Sequence, residues 1–217
     1  MSSEIKSTTV QTNSLKDKTG TRTLASDSGS AWSWGSGLPS GSIVQIQYTQ
    51  YTDKASMGGI NSGTEVVLTD STPTAGNEIL KVDITPKITN SKFLIEAQWQ
   101  GEFNTYSNQW ESIFFFFRGT TTYGGTALKQ SGTSGGIQIP WISYTEAGDN
   151  DSTTNGVFLR YFDAPNISSG TTTRYKLGYR QTTADNQFLT TNRSIGNVDA
   201  SDYEGGISSI TVWEIAP

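Results

Sequence analysis

The stretch Ile113-Phe-Phe-Phe-Phe117 decides how this chain of 217 residues has to fold. Successive side chains of a β-strand point to opposite faces of the sheet, so the strand carries large apolar side chains on both faces. Phe114 and Phe116 share one face with Trp110, and the other three residues share the opposite face. Leaving Phe114 and Phe116 in water would forfeit roughly 3 to 6 kcal/mol of burial. Both faces are therefore predicted to be dry.

This reasoning predicts that a second subunit covers one of the two faces of this strand. One face can belong to the chain's own core, whereas the other needs more of the same chain or another subunit. We interpret the pattern as an oligomer interface containing Trp110, Phe114 and Phe116. Aspartate at position 114 or 116 is then expected to dissociate the oligomer, because an unpaired carboxylate is costly to bury.

The composition predicts an all-β protein. The chain contains 23 glycines, 11% aromatic residues and 16% charged residues, a profile typical of short strands joined by polar turns. With no helical segment between the strands, the predicted fold is an antiparallel β-sandwich of the jelly-roll type, with an extended N-terminal arm or stem. The predicted strands are 42–50, 65–69, 78–84, 92–100, 109–118, 127–130, 137–144, 157–162, 174–180, 187–191 and 207–215.

Two parts of the chain differ in composition. Residues 1–38 are rich in Ser, Thr and Gly, and their scattered apolar residues cannot build a core. They are either a flexible tail or an arm or stem that orders against neighbouring subunits. Trp32 and Trp34 favour the arm and are its predicted anchors, since tryptophan is costly to leave in a solvated linker. Residues 39–217 are predicted to form the β-sandwich head.

Several function classes are disfavoured by what the chain lacks. A net charge of −5 with no basic patch argues against nucleic-acid binding. Without His or Cys there is no Ser-His-Asp triad, no disulfide and no usual zinc ligand. No window is apolar enough to span a membrane. We expect a protein that is not an enzyme, has no cofactor and does not insert into membranes.

Two acidic groups are candidate sites with simpler explanations. Asp149 and Asp151 lie in a loop whose oxygen ligands would suit Ca²⁺, although the loop lacks EF-hand spacing and a solvated acidic tip explains it as well. We therefore predict no metal site. Glu96, Glu102 and Glu111 include possible glycosidase pairs, which require carboxyl groups about 5 to 9.5 Å apart. A solvated sheet face is the alternative explanation for Glu96.

Loop aromatics and a basic stripe are the remaining candidates. Rings stack on the apolar faces of sugars, so exposed tyrosines are candidate glycan contacts, with core packing as the alternative. The basic stripe of Arg174, Lys176 and Arg180 is predicted to be the solvent side of its strand. The candidate glycan contacts are Tyr106, Tyr123, Tyr144 and Tyr203.

A resemblance adds a biological setting to this prediction. The matching stretches resemble the C-terminal heads of tail-fibre-like virion proteins of marine bacteriophages, which are similar to trimeric jelly rolls of the C1q and tumour-necrosis-factor type. The stretch 12–20 (TNSLKDKTG) is similar to the stem units that precede such heads. The matching stretches of the head are 38–45 (LPSGSIVQ), 91–97 (SKFLIEA), 114–120 (FFFFRGT), 162–165 (FDAP), 175–180 (YKLGYR), 192–194 (NRS) and 208–215 (SSITVWEI).

The resemblance implies a homotrimer located in the virion. Its function would be that of a fibre or appendage head that contacts host-surface glycans, with residues 1–38 bound to other virion proteins of the capsid or tail. A capsid decoration protein or head fibre, clamping shell subunits through the same residues, is the alternative. A lectin-like or glycan-hydrolysing module is a third reading.

Overall fold

The computed structural model describes residues 38–103, 112–120, 123–128, 154–181, 187–196 and 205–217, together with the backbone of three short strands closer to the N-terminus. Every regular element in these residues is a β-strand, and no helix there is long and apolar enough to cross a membrane. The described strands are β1 (Ser14–Lys16), β2 (Thr23–Asp27), β3 (Trp32–Trp34), β4 (Ile43–Tyr51), β5 (Ala55–Ile60), β6 (Glu65–Val67), β7 (Lys81–Ile84), β8 (Lys92–Phe103), β9 (Ser112–Gly119), β10 (Thr126–Leu128), β11 (Asn155–Asp163), β12 (Thr173–Gln181), β13 (Gln187–Thr191) and β14 (Ser208–Ile215).

Two antiparallel sheets form the sandwich. One has six strands in the order β4-β14-β8-β13-β5, with β11 on the other side of β8, and the other has five in the order β10-β9-β12-β6, with β7 also paired to β12. The chain crosses between the sheets repeatedly, as in a jelly roll. Strands β1 to β3 form a separate three-stranded antiparallel sheet. The predicted all-β antiparallel sandwich is confirmed.

Most predicted strands within the described residues are found to within about three positions of their predicted ends, because alternation and turn residues are local signals. The predicted strand 137–144 lies outside the described residues. Strand β5 was missed, because Gly58 and Gly59 made this stretch appear to be a turn. It forms through pairing with β13 across a register shift.

The core lies between the two sheets and follows the alternation predicted for β8. Phe93, Ile95 and Trp99 are fully buried, and the ring of Trp99 lies 4.9 Å from that of Phe114. Phe114 also packs edge-on against Tyr179, at 5.1 Å between centroids. Strand β9 thus turns one aromatic face toward the six-stranded sheet of the same chain.

The predicted oligomer interface at Phe114 and Phe116 is therefore wrong. These side chains are only 1% and 0% exposed in a single copy of the chain, because they fill the sandwich interior. Phe115 and Phe117, on the other face of the strand, are 1% and 5% exposed. The prediction that both faces are dry is confirmed, but one chain suffices to dry them. Trp110 lies outside the described residues.

The chain's own segments contribute to the cover over the outward face of β9. Phe115 and Phe117 pack with Val67 of β6, and the Tyr123 hydroxyl accepts a hydrogen bond from the Val67 amide at 3.2 Å. Gly178 lies beneath the two rings, where an added Cβ would come within 2.7 Å of the Phe117 ring. Glycine is needed there because the rings lie flat across the strand.

Lys176 corrects the prediction of a solvated basic stripe. Its side chain is 0% exposed, and its ammonium group lies 2.6 Å from Glu78 and donates to the Gly124 carbonyl at 3.0 Å. Arg174 binds Asp83 through two hydrogen bonds of 2.6 and 2.7 Å. The stripe is thus largely paired with acidic side chains, because the outer side of β12 lies beneath other parts of the chain.

A buried carboxylate joins the two sheets. Asp163, at the end of β11, accepts two hydrogen bonds of 2.7 Å from Arg118 of β9 and one of 2.8 Å from the Tyr175 hydroxyl of β12. Burial, followed by the charge of Asp163, raises the pKa of Tyr175 far above its usual value. The phenol therefore remains a donor, and the cluster ties β11 to the opposite sheet.

Candidate functional site: the outer face of the six-stranded sheet

The outward surface of β4, β14, β8 and β11 is the main candidate functional site. Cross-strand pairing arranges its side chains in three rows, and each row contains one residue from each of the four strands. We call this surface the outer face. Its rows are Ile46, Trp213, Leu94 and Phe162; Tyr48, Thr211, Glu96 and Arg160; and Gln50, Ser209, Gln98 and Phe158.

Large apolar side chains on this face are left in solvent. Ile46 is 48% exposed, Tyr48 56%, Phe158 61% and Phe162 55%. Single exposed apolar residues are normal on a protein surface, but a contiguous group marks an interaction site. These four lie on the two flanking strands of the face, β4 and β11, and Trp213 lies between them, partly buried.

The central row neutralises its own charges. The Arg160 guanidinium donates to Glu96 at 2.8 Å and lies 5.9 Å from the centre of the Phe158 ring. The Trp213 indole donates to the second carboxylate oxygen of Glu96 at 3.2 Å. The outer face is therefore electrically balanced although the whole chain carries a net charge of −5.

The orientation of β4 explains why its apolar side faces outward. Gln45 points to the opposite side, where its amide donates to the Thr85 carbonyl at 2.7 Å and to Glu214 at 2.6 Å. Glu214 is fully buried and also accepts from the Ser91 hydroxyl and from backbone amides. Gln45 supplies one of the donors that this buried carboxylate requires, so Ile46 is left toward solvent.

A groove of about 610 Å³ lies at the polar end of the outer face. Its lining includes Tyr48 from β4 and polar side chains from β4, β8 and β14. Sequence reasoning did not identify this groove or the outer face. The available signal was the alternation of Val44, Ile46 and Tyr48, which marks a face of β4 but does not tell whether that face points inward.

The predicted glycan-contact residues fall in different parts of the molecule. Tyr123 lies on the five-stranded sheet, away from the groove, and its hydroxyl is bound to the Val67 amide. The predicted contacts Tyr106, Tyr144 and Tyr203 lie outside the described residues. The structure gives the backbone of β3, which contains the predicted anchors Trp32 and Trp34, without placing them in a site.

The candidate carboxylate pair does not have glycosidase geometry. Glu96 and Glu102 stand six positions apart on β8, a separation of about 20 Å along an extended strand. Glu96 accepts a hydrogen bond from Arg160, whereas Glu102 accepts one from the Ile195 amide. This separation exceeds what either glycosidase mechanism uses. Glu111 lies outside the described residues.

Among the residues that the structure describes, no group of three or more acidic side chains is placed to hold a metal ion. The candidate calcium ligands Asp149 and Asp151 lie outside those residues. Within the described ranges, the carboxylates detailed above are instead engaged by arginine, lysine, hydroxyl or backbone amide donors.

Comparison with known proteins does not assign the chain to a family. No protein-family model matches the chain, and no curated protein matches it. Among solved structures, the chain is similar to one titled as the structure of infectious bursal disease virus, Gx strain, with 11% sequence identity and a TM-score of 0.35. The similarity covers 89% of this chain and 42% of that chain, so this chain spans less than half of its length.

Proposed function

We propose that this chain is a structural protein of a bacteriophage particle, without enzymatic activity, and that it assembles as a homotrimer through the outer face. The resemblance of its sequence to tail-fibre-like heads supports the virion role. The proposal rests on one structural observation, the large apolar side chains of Ile46, Phe158 and Phe162 that share a neutral, solvent-facing sheet surface.

Burial of these side chains supplies a driving force for assembly. They are each about half exposed, so covering them contributes roughly 2 to 5 kcal/mol per copy. A second copy of the chain fits as the cover, because the Glu96–Arg160 pair leaves the face neutral while the rest of the chain is acidic. Two copies therefore repel least where these faces meet.

The distribution of the apolar side chains favours a ring over a twofold dimer. A face turned toward a threefold axis meets one neighbour at each flank. Ile46 lies at one flank, and Phe158 and Phe162 lie at the other. Such a heterologous contact closes as a ring and uses both flanks of the outer face.

Light scattering of the purified chain tests this assembly. We expect a mass of three chains at micromolar concentration. Phe162→Asp or Ile46→Asp is expected to give monomers with an unchanged circular dichroism spectrum, because each places a charge in the apolar row. Thr126→Asp, an equally exposed strand position on the other sheet, is the matched control and should remain trimeric. A monomeric parent chain would contradict the proposal.

A capsid decoration protein is the second candidate. The observation that favours it is the separate sheet of β1 to β3, in which three short strands between residues 14 and 34 pair with one another. This pairing supports an arm that binds shell subunits. Incubation with empty capsids and with host envelopes distinguishes the two roles. A fibre head should bind envelopes, and a decoration protein should bind capsids only while residues 1–38 are present.

A further inference from the structure

We propose that the groove at the polar end of the outer face binds a saccharide chain. This inference rests on the proposed role in host contact, and it concerns Tyr48 and its polar neighbours rather than Ile46, Phe158 and Phe162, the side chains proposed to be buried in the trimer. The groove has a volume of about 610 Å³, within the range of about 300 to 1,000 Å³ typical of ligand sites. It is lined by side chains of β4, β8 and β14 and by the glycines that precede β14.

An aromatic ring forms one wall of the groove. Tyr48 is 56% exposed and lines the groove from β4. A ring of this kind offers an apolar surface to the face of a pyranose and a hydroxyl to its edge. Ile207, 50% exposed, adds apolar surface near the start of β14. The groove therefore has the stacking surface that a sugar ring requires.

Amides and a hydroxyl provide the polar contacts. The exposed side chains of Gln50 and Gln98 flank Ser209 in one cross-strand row, and Gln100 follows two positions along β8. Each amide donates and accepts at once, which matches the paired donor and acceptor character of sugar hydroxyls. Neighbouring strands are about 4.8 Å apart, so these groups can contact successive hydroxyls of one ring or chain.

The far end of the groove is held in a fixed shape. Gly206 lies against Gln100, and an added Cβ there would come within 2.4 Å of the Gln100 amide oxygen. Asn192 is buried at the lining, donates to the carbonyls of Tyr51 and Asp53 at 2.7 and 3.0 Å, and accepts from the Ser208 hydroxyl at 2.7 Å. A preformed lining lowers the entropy that a ligand must lose on binding.

The charge of the groove also suits a saccharide. Its described lining contains one cation, Lys54, and no carboxylate, although the whole chain is acidic. Neutral sugars meet no repulsion there. The lining offers one ring and many hydrogen-bonding groups, whereas a peptide usually anchors apolar side chains in pockets.

Side-chain amide NMR tests the inference directly. The full chain, labelled with ¹⁵N, is titrated with maltoheptaose, cellohexaose and trigalacturonate up to about 10 mM, ten times the dissociation constant of a millimolar complex. We expect at least one of them to shift the amide signals of Gln50, Gln98 and Gln100. Gln98→Ala and Tyr48→Ala should each weaken that binding about tenfold.

Gln47→Ala is the matched control, since its amide lies on the opposite side of β4 and donates to Gln45. It should bind as the parent chain does. Light scattering of every variant separates the two proposals, because Gln98→Ala should weaken sugar binding and keep its mass. Absence of amide shifts with all three sugars, or equal binding by Gln98→Ala, would overturn the saccharide site whatever the oligomeric state.

Discussion

The outward surfaces of the two sheets differ in how they are covered. On the five-stranded sheet, Phe115, Phe117 and Lys176 are each at most 5% exposed within one chain. On the six-stranded sheet, Phe158 and Phe162 are more than half exposed. The four phenylalanines of the more apolar strand are thus buried by their own chain. The surface whose apolar side chains stay exposed lies on strands whose alternation is ordinary.

This difference teaches that apolar content alone does not locate an interface. A strand that is apolar on both faces is central, and other segments fold over it. An edge strand with alternating residues has fewer neighbours, so its apolar side can stay open. Strands β4 and β11 each pair with a single strand among the described residues, and both carry exposed apolar side chains.

The largest expected effect distinguishes the core aromatics from those of the outer face. Phe116→Asp should prevent folding, because burying an unpaired carboxylate costs more than a typical domain can sustain. Phe158→Asp should leave the fold intact, because that ring already lies in solvent. Circular dichroism and thermal unfolding measure both. A folded Phe116→Asp monomer would return that residue to the interface originally predicted from the sequence.

An intermediate effect compares one ion pair from each sheet. Lys176→Met should lower the free energy of unfolding by about 3 kcal/mol, because it leaves Glu78 buried without its closest cation. Arg160→Met, its counterpart on the outer face, should cost less than about 1 kcal/mol, since the Arg160 side chain is 62% exposed. Urea unfolding of both variants gives the comparison. Equal losses would mean that the two surfaces are equally covered.

The smallest expected effect concerns Tyr123, whose hydroxyl binds the Val67 amide on the outward side of the five-stranded sheet. Burial raises the pKa of Tyr123 above its usual value of 10.0. Below pH 10 the phenol is neutral in both the folded and the unfolded chain, so its contribution to the free energy of unfolding is fully present. As the pH rises above 10, the unfolded chain loses this proton first, which destabilises the folded chain relative to it. The stabilising contribution of the neutral phenol is therefore lost as the pH rises through the higher pKa of the folded chain.

Tyr123→Phe should remove this part of the alkaline destabilisation and, by deleting the bond to the Val67 amide, cost about 1 kcal/mol near neutral pH. Urea unfolding between pH 8 and pH 11 measures the first effect, and hydrogen exchange at Val67 measures the second. An unchanged alkaline slope in Tyr123→Phe would assign the destabilisation to other groups.

Part of the candidate site was within reach of sequence reasoning. The faces of β4 could be separated from the alternation of its residues, and Glu96 could be placed on the polar side of β8. The sequence did not indicate which of the two faces of β4 points into the sandwich. Its inward side is polar because Gln45 binds Glu214, a residue 169 positions away that the amino-acid pattern does not link to it.

The sequence by itself determined the strands and their two faces, because the period of two and the turn residues act between near neighbours. It also determined that residues 113–117 must be dry on both sides. Only the tertiary structure decided what dries them, that Lys176 is buried against Glu78, and that Ile46, Phe158 and Phe162 stay in solvent. The physical reason is that burial depends on partners distant in the chain, whereas alternation depends on local geometry.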